Sequence, residues 1–166
     1  MAKPIPKNAL TAYAIAVLVI VLDQLSKWWI LDVLMLPQRG QIAGFGPIQL
    51  TMVWNQGVSF GLFRADQDIT RWVLAGFSAI VAVVLARWAL KIGRPLLAVA
   101  VGLVMGGAVG NLIDRVRLGA VVDFIDASAL WFPWVFNVAD SAITVGVVLL
   151  LLDTFLSERR ATPRKA

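Results

Sequence analysis

The sequence predicts an all-α membrane protein, four transmembrane helices carrying a small extracytoplasmic β-rich cap. Three observations carry that reading. Of 166 residues, 60% are hydrophobic and 15% charged, with mean hydropathy +0.82. A soluble domain has about 45–50% apolar and about 25% charged residues, so this composition around one aqueous core would leave a large apolar surface. Four apolar stretches approach the ~20 residues that cross a bilayer. The basic residues, finally, gather in the segments that lie on one side of those stretches.

The spans are expected over 10–31, 72–90, 95–113 and 134–155, within a single polytopic domain covering 1–166. In the first, Leu10–Leu22 behind Lys3 and Lys7 has the pattern of a signal-peptide apolar region. The residues that follow, Asp23-Gln-Leu-Ser-Lys-Trp-Trp29, contain no small-x-small cleavage site, so a retained helix is expected. Segments 1–9, 87–94 and 157–166 hold Lys3, Lys7, Arg87, Lys91, Arg94, Arg159, Arg160, Arg164 and Lys165. The opposite segments 32–71 and 114–133 hold only Arg39, Arg64, Arg71, Arg115 and Arg117 in more than twice the length. The positive-inside rule then places both termini and the short middle loop in the cytoplasm. The net charge of +5 is a topology signal, and no nucleic-acid partner is expected.

The outer cap comes from 32–71 and 114–133. Ile48–Trp54 alternates loosely, Asn55-Gln-Gly57 supplies a turn and Val58–Phe63 returns, which reads as a hairpin. Val121–Ile125, β-branched and aromatic, reads as a further extended piece. Irregular backbone cannot face lipid, so these pieces belong at the membrane surface. Trp28, Trp29, Trp54, Trp72, Trp131 and Trp134 fall where an outward aromatic belt would lie.

Two zeros restrict the chemistry. Without Cys there is no disulfide, thiolate nucleophile or metal-thiolate site, and without His no imidazole base or HExxH helix. No metal or cofactor is expected. The sole Glu and Tyr, Glu158 and Tyr13, lie near the chain ends, so acid–base work falls to Asp and Lys.

A charge at bilayer depth costs at least about 2.5–3.5 kcal/mol, so each one needs a reason. Asp23 and Lys27, spaced i, i+4 with Gln24 beside them, can form a structural ion pair or a polar wall for a site. Gly102-x-x-x-Gly106-x-x-x-Gly110 is a ladder for close helix packing. Asn111, Asp114 and Arg115 follow as a polar tip, where Arg115 either anchors substrate carbonyls or pairs with Asp114. Asn137, Asp140, Ser141 and Thr144 form a polar stripe on the fourth span, with Asp140 about two turns inside its outer end. There Asp140 must hold a proton, find a donor or face a wet cavity. Asp123, among Val121, Val122, Phe124 and Ile125, reads as a carboxyl in a pocket with an apolar wall or as a solvated loop acid. Asp66, Asp68 and Asp126 read as surface acids.

Asp23-Gln-Leu-Ser-Lys27, Asn55-Gln-Gly-Val-Ser-Phe60, Gly110-Asn-Leu-Ile-Asp-Arg115, Val121-Val-Asp-Phe124 and Phe136-Asn-Val-Ala-Asp-Ser141 together resemble the motif series of bacterial lipoprotein signal peptidase, signal peptidase II. The resemblance covers nearly the whole chain. It implies an inner-membrane aspartyl endopeptidase whose substrates are prolipoproteins with a diacylglyceryl-modified cysteine, cut just before that cysteine, with the site on the outer face. It makes Asp123 and Asp140 the catalytic pair, and gives Asn55, Asn111, Arg115 and Asn137 substrate-holding or dyad-orienting work. Asp23, Gln24, Lys27, Gly57, Gly110 and Asp114 match positions expected to be structural. Gln56, Val58 and Ser59 depart from the small residues or Thr expected there. The partners implied are the lipidated precursors and the bilayer, and a monomer is expected.

The physics agrees with that assignment: two carboxyls that share a proton hydrolyse amides without metal, thiol or imidazole. A rival reading is a proton-coupled carrier using Asp140 and the Asp23/Lys27 pair, but the inner halves of spans two to four are almost bare of polar groups. A Ser–Lys peptidase built on Ser26 or Ser141 with Lys27 is the third. Ser26 and Lys27 are adjacent and point about 100° apart on a helix.

Overall fold

A computed structural model describes residues 4–44, 46–57 and 67–161. The expected return strand 58–63 lies outside them, as do Ser59, Arg64, Asp66, Lys3, Arg164 and Lys165. Helix α1 (Lys7–Trp28) starts after Pro6 and continues into a π turn, Trp29–Val33, where Leu34 N bonds Trp29 O at 2.8 Å. A short helix α2 (Leu36–Arg39) leads into strands β1 (Gln41–Ala43) and β2 (Gln49–Asn55). Helices α3 (Gln67–Ala89) and α4 (Pro95–Leu118) follow. Pro95 opens α4, where its missing N–H costs no bond. Gly119 closes it at φ +84°, a conformation that a Cβ disfavours. Strand β3 (Val121–Asp126), a 3-10 turn (Ser128–Leu130) and β4 (Val135–Phe136) precede α5 (Val138–Ala161).

Four of these helical stretches are long and apolar enough to cross a membrane: Lys7–Val33, Asp68–Ala89, Pro95–Leu118 and Val138–Glu158. The helix α4 is the most buried of them, packed along α1 and α5 with α3 on its remaining side. The glycine ladder explains the closeness. A Cβ on Gly102 would stand 2.6 Å from Ala12 O, and one on Gly106 would stand 2.7 Å from the Val19 Cβ. Both glycines thus face α1, whereas Gly107 faces α5 at Ala139 and Ile143. Outward, the bundle presents Val17, Leu18, Phe77, Ile80, Val84, Val148, Leu151 and Phe155, each at least half exposed, which is the surface a lipid solvent accepts.

The antiparallel sheet has the order β1-β2-β3-β4. The partners of β2 are therefore β1 and the distant β3 (Val53 opposite Asp123, Asn55 opposite Val121), which the local hairpin reading did not anticipate. Beneath the sheet, Ile30, Leu36, Val122 and Phe124 form a buried cluster. The six tryptophans expected in a belt are all exposed at this end, Trp131 almost completely and with left-handed backbone (φ +63°).

Two boundaries differ from expectation in a way that matters. Helix α4 runs five residues past 113, bringing Asp114 and Arg115 onto the helix proper. Helix α5 begins at Val138 rather than near Trp134, because Val135 and Phe136 pair with Asp126 and Ile125 as β4. Asp140 therefore sits in the first turn of α5 and not two turns inside it.

Candidate active site

The start of α5 is a capping box. Asn137 Oδ1 accepts from Asp140 N at 2.8 Å, and Asp140 Oδ2 accepts from Asn137 N at 3.3 Å. Each side chain thus satisfies an N–H that the helix leaves unbonded. The positive end of the helix dipole also favours an anion here. Ser141 Oγ and Thr144 Oγ1 turn back onto Asn137 O and Asp140 O, both at 2.9 Å, so the polar stripe is largely self-satisfied.

Strand β3 brings Asp123 to the same place. Its carboxylate is almost fully buried and accepts from Asn55 Nδ2 at 2.9 Å and from Asn137 Nδ2 at 2.7 Å. Asn55 belongs to β2, diagonally across the pair, and its own Oδ1 accepts from Gly57 N at 2.8 Å, where Gly57 adopts φ +83°. Asn137 thereby touches both acids, Asp123 through its amide and Asp140 through its backbone. Asn111 Nδ2 donates to Asp140 Oδ1 at 2.7 Å, and its Oδ1 accepts from Asn137 Nδ2 at 3.2 Å. Asp123 and Asp140 line one cavity of about 570 Å³ between β3, the 127–136 segment and α5. Its walls include Leu130, Phe132, Trp134 and Val145, so the acids meet an apolar surface at a polar floor. Burial, first, and the charge of Asp140 push the Asp123 carboxyl up to about 6, against the amides of Asn55 and Asn137 and the charge of Lys27. The pocket alternative for Asp123 is the one observed.

Behind the acids lies a buried ionic cluster. Lys27 Nζ contacts Asp23 Oδ2 at 2.8 Å, Asp114 Oδ2 at 2.7 Å and Asn111 Oδ1 at 3.3 Å. Gln24 Nε2 donates to Asp114 Oδ1 at 2.9 Å and to Asp23 Oδ2 at 3.1 Å. Each carboxylate also holds a backbone N–H: Asp23 Oδ1 takes Ala139 N at 3.0 Å and Asp114 Oδ2 takes Val122 N at 3.1 Å. Those N–H groups stand one residue before Asp140 and Asp123. The cluster thus ties α1 and α4 to the two segments that carry the acids. Gly110 makes room for it, since a Cβ there would lie 2.6 Å from Asp23 Oδ2.

One alternative left open by the sequence falls away, and one expectation needs correction. Arg115 does not pair with Asp114, whose oxygens are occupied by Lys27, Gln24 and Val122 N. The Arg115 guanidinium donates to Asn111 O at 3.3 Å, and its charge interacts with Asp140, Asp114 and Asp123. Asp126 is buried rather than superficial. Thr51 Oγ1 (2.7 Å) and Ser128 N (2.9 Å) donate to it, and these bonds hold its carboxyl below the ordinary range.

Two residues escaped sequence reasoning. Arg71 on α3 donates to Arg115 O at 2.6 Å and Val116 O at 2.8 Å, bonding carbonyls at the end of α4. Asp153 is buried far from the acids and forms an ion pair with Arg94 at 2.8 Å. Among the described residues no cluster of metal-ligating side chains is found.

The chain resembles known proteins over almost its whole length. A family model described as Signal peptidase (SPase) II matches residues 15–156. The lipoprotein signal peptidase of Caulobacter vibrioides is 59% identical over 155 residues, spanning 93% of this chain and 92% of the relative. That of Methylobacterium sp. strain 4-46 is 44% identical over 148 residues, spanning 89% and 90%. Two solved structures described as bacterial membrane enzymes superpose well. One, at 2.3 Å resolution, gives a TM-score of 0.77 at 27% identity over 94% of each chain. The other, at 1.9 Å, gives 0.74 at 30% identity over 87% of this chain and 92% of the other.

Proposed function

The chain belongs to the signal peptidase II family, and from that premise we propose that it is an aspartic endopeptidase that removes signal peptides from lipoprotein precursors, cutting just before a diacylglyceryl-modified cysteine. Asp123 and Asp140 are the catalytic pair. The observation that carries this is the joint hold of Asn137 on both acids at the floor of one apolar-walled cavity.

Two carboxyls held by one asparagine at the floor of one cavity resist double ionisation, so one proton is shared between them. The ionised carboxylate takes a proton from a water as its oxygen attacks the scissile carbonyl. The protonated partner polarises that carbonyl, and a proton then passes to the departing amine. An Asp123 carboxyl at about 6 supports such sharing near neutral pH. Asn55, Asn111 and Asn137 orient the acids. Arg115, with donors beyond its bond to Asn111 O, holds substrate carbonyls.

The reading puts the termini and the 90–94 turn on the cytoplasmic side of the inner membrane, and the sheet on the outer face. The basic residues at that end and the tryptophans at the other support it. A substrate held in the bilayer by its acyl chains loses little further freedom when its peptide crosses the cavity. Mass analysis of products from a synthetic diacylated precursor tests the proposal: the purified protein releases a peptide ending one residue before the lipidated cysteine. Cleavage at any other bond, or none, would overturn it.

A further inference from the structure

A second groove meets the site from the other side of α5. It lies between α3, α4 and α5, encloses about 410 Å³, and runs from Asn111 and Arg115 past Ala108 to Val104 on α4. The wall on α3 carries Ser78 and Val81. From the proposed function, on which this rests, we infer that the groove holds one acyl chain of the substrate's diacylglyceryl group, with Arg115 bonding an ester carbonyl at its mouth.

Size supports a chain over a peptide helix. The twelve residues from Val104 to Arg115 span about 16 Å of helix. That is about the depth of one leaflet in a ~30 Å hydrocarbon core. A helix about 10 Å across would displace roughly 1,200 Å³ over that length, three times what the groove encloses. Polarity agrees. Among the described residues the groove is apolar, apart from Ser78, until Asn111 and Arg115, so the strong donors among them stand at one end. A glyceride ester brings acceptors and no donors, which suits a guanidinium with N–H groups to spare. Connectivity agrees as well. Asn111 lines this groove and donates to Asp140, which lines the other cavity, so the two apolar channels diverge from one acid on either side of α5. The substrate likewise has two apolar arms diverging from the scissile bond, a signal helix and a lipid.

The test compares precursors with long and short acyl chains on the wild type, Ser78→Phe and Ile80→Phe. Ser78→Phe fills the groove, whereas Ile80 faces outward, 64% exposed. Filling the groove removes packing contacts along the end of the chain, which raises KM for the long-chain precursor about fivefold in Ser78→Phe. The short-chain precursor, and both precursors with Ile80→Phe, keep wild-type kinetics. Equal effects on both precursors in Ser78→Phe, or none, would overturn the groove assignment. Failure of the wild type to cleave either would instead overturn the protease reading. A photoreactive group near the end of one substrate acyl chain decides independently of any variant's folding. It labels the wild type at residues 74–81 or 104–108, and excess phospholipid does not suppress the labelling. Labelling elsewhere, or its loss to phospholipid competition, refutes the inference.

Discussion

Replacing Asp123 by Asn should abolish cleavage yet make the protein more stable at neutral and alkaline pH. The carboxyl moves from its ordinary 3.8 in the unfolded chain to about 6 in the folded one, chiefly because burial disfavours the anion. Between those values the folded state holds a proton that the unfolded state has released. Stability therefore falls as pH rises from 3.8 through 6 and then levels off, with a total cost of about 3 kcal/mol. An amide at this position does not ionise and escapes that cost. It also presents an NH2 where Asn55 and Asn137 now donate, and one mismatched bond returns about 1 kcal/mol. The net expectation is a gain of about 2 kcal/mol above pH 7, shrinking through pH 6–4 and reversing below. Urea unfolding of both proteins in one detergent, followed across pH 3.5–8.5, measures this. A variant less stable than the wild type at pH 8, or a difference that does not change with pH, would refute the reasoning.

Three further outcomes are expected. Asn137→Ala removes the α5 cap, costing about 1 kcal/mol of stability, and frees both acids, so kcat should fall by about 100-fold or more while membrane insertion is retained; thermal unfolding and steady-state kinetics read the two effects. Lys27→Met strands Asp23 and Asp114 as buried carboxylates and should destabilise by about 3–5 kcal/mol, whereas a Lys27→Met, Asp23→Asn, Asp114→Asn triple variant recovers much of that in the same unfolding assay. Ser141→Ala loses only a bond from Oγ to Asn137 O and should keep turnover within about threefold of wild type; loss of activity would favour a serine nucleophile.

The bundle was legible because lipid imposes a simple rule on sequence: four long apolar runs leave little choice of architecture. The glycine ladder announced close packing, but its spacing did not say that Gly102 and Gly106 would face α1 while Gly107 faces α5. The sheet was harder. Its central pairing joins β2 to β3 across some 70 residues, and no local turn signal encodes so distant a partner. Val135 and Phe136 read as the start of an apolar helix until β3 offers them a strand to pair with, which is why sequence alone sets Asp140 too deep. Asn137 and Asp140, at N-cap and N3 spacing, already mark the true helix start for a reader attending to caps. The i, i+4 pairing of Asp23 and Lys27 was readable locally. The use of their cluster was not, because the bond from Ala139 N to Asp23 spans 116 residues, and Asp114, which takes Val122 N eight residues on, joins Lys27 only through the packing of α4 on α1.

The central claim is that Asp123 and Asp140 act as one catalytic unit. Single-turnover cleavage of a diacylated precursor by Asp123→Asn, Asp140→Asn and the double variant tests it most directly. Either substitution alone should remove essentially all activity, with the double variant no worse than the singles and all three inserted in the membrane. Retention of wild-type cleavage by either single variant would contradict the account.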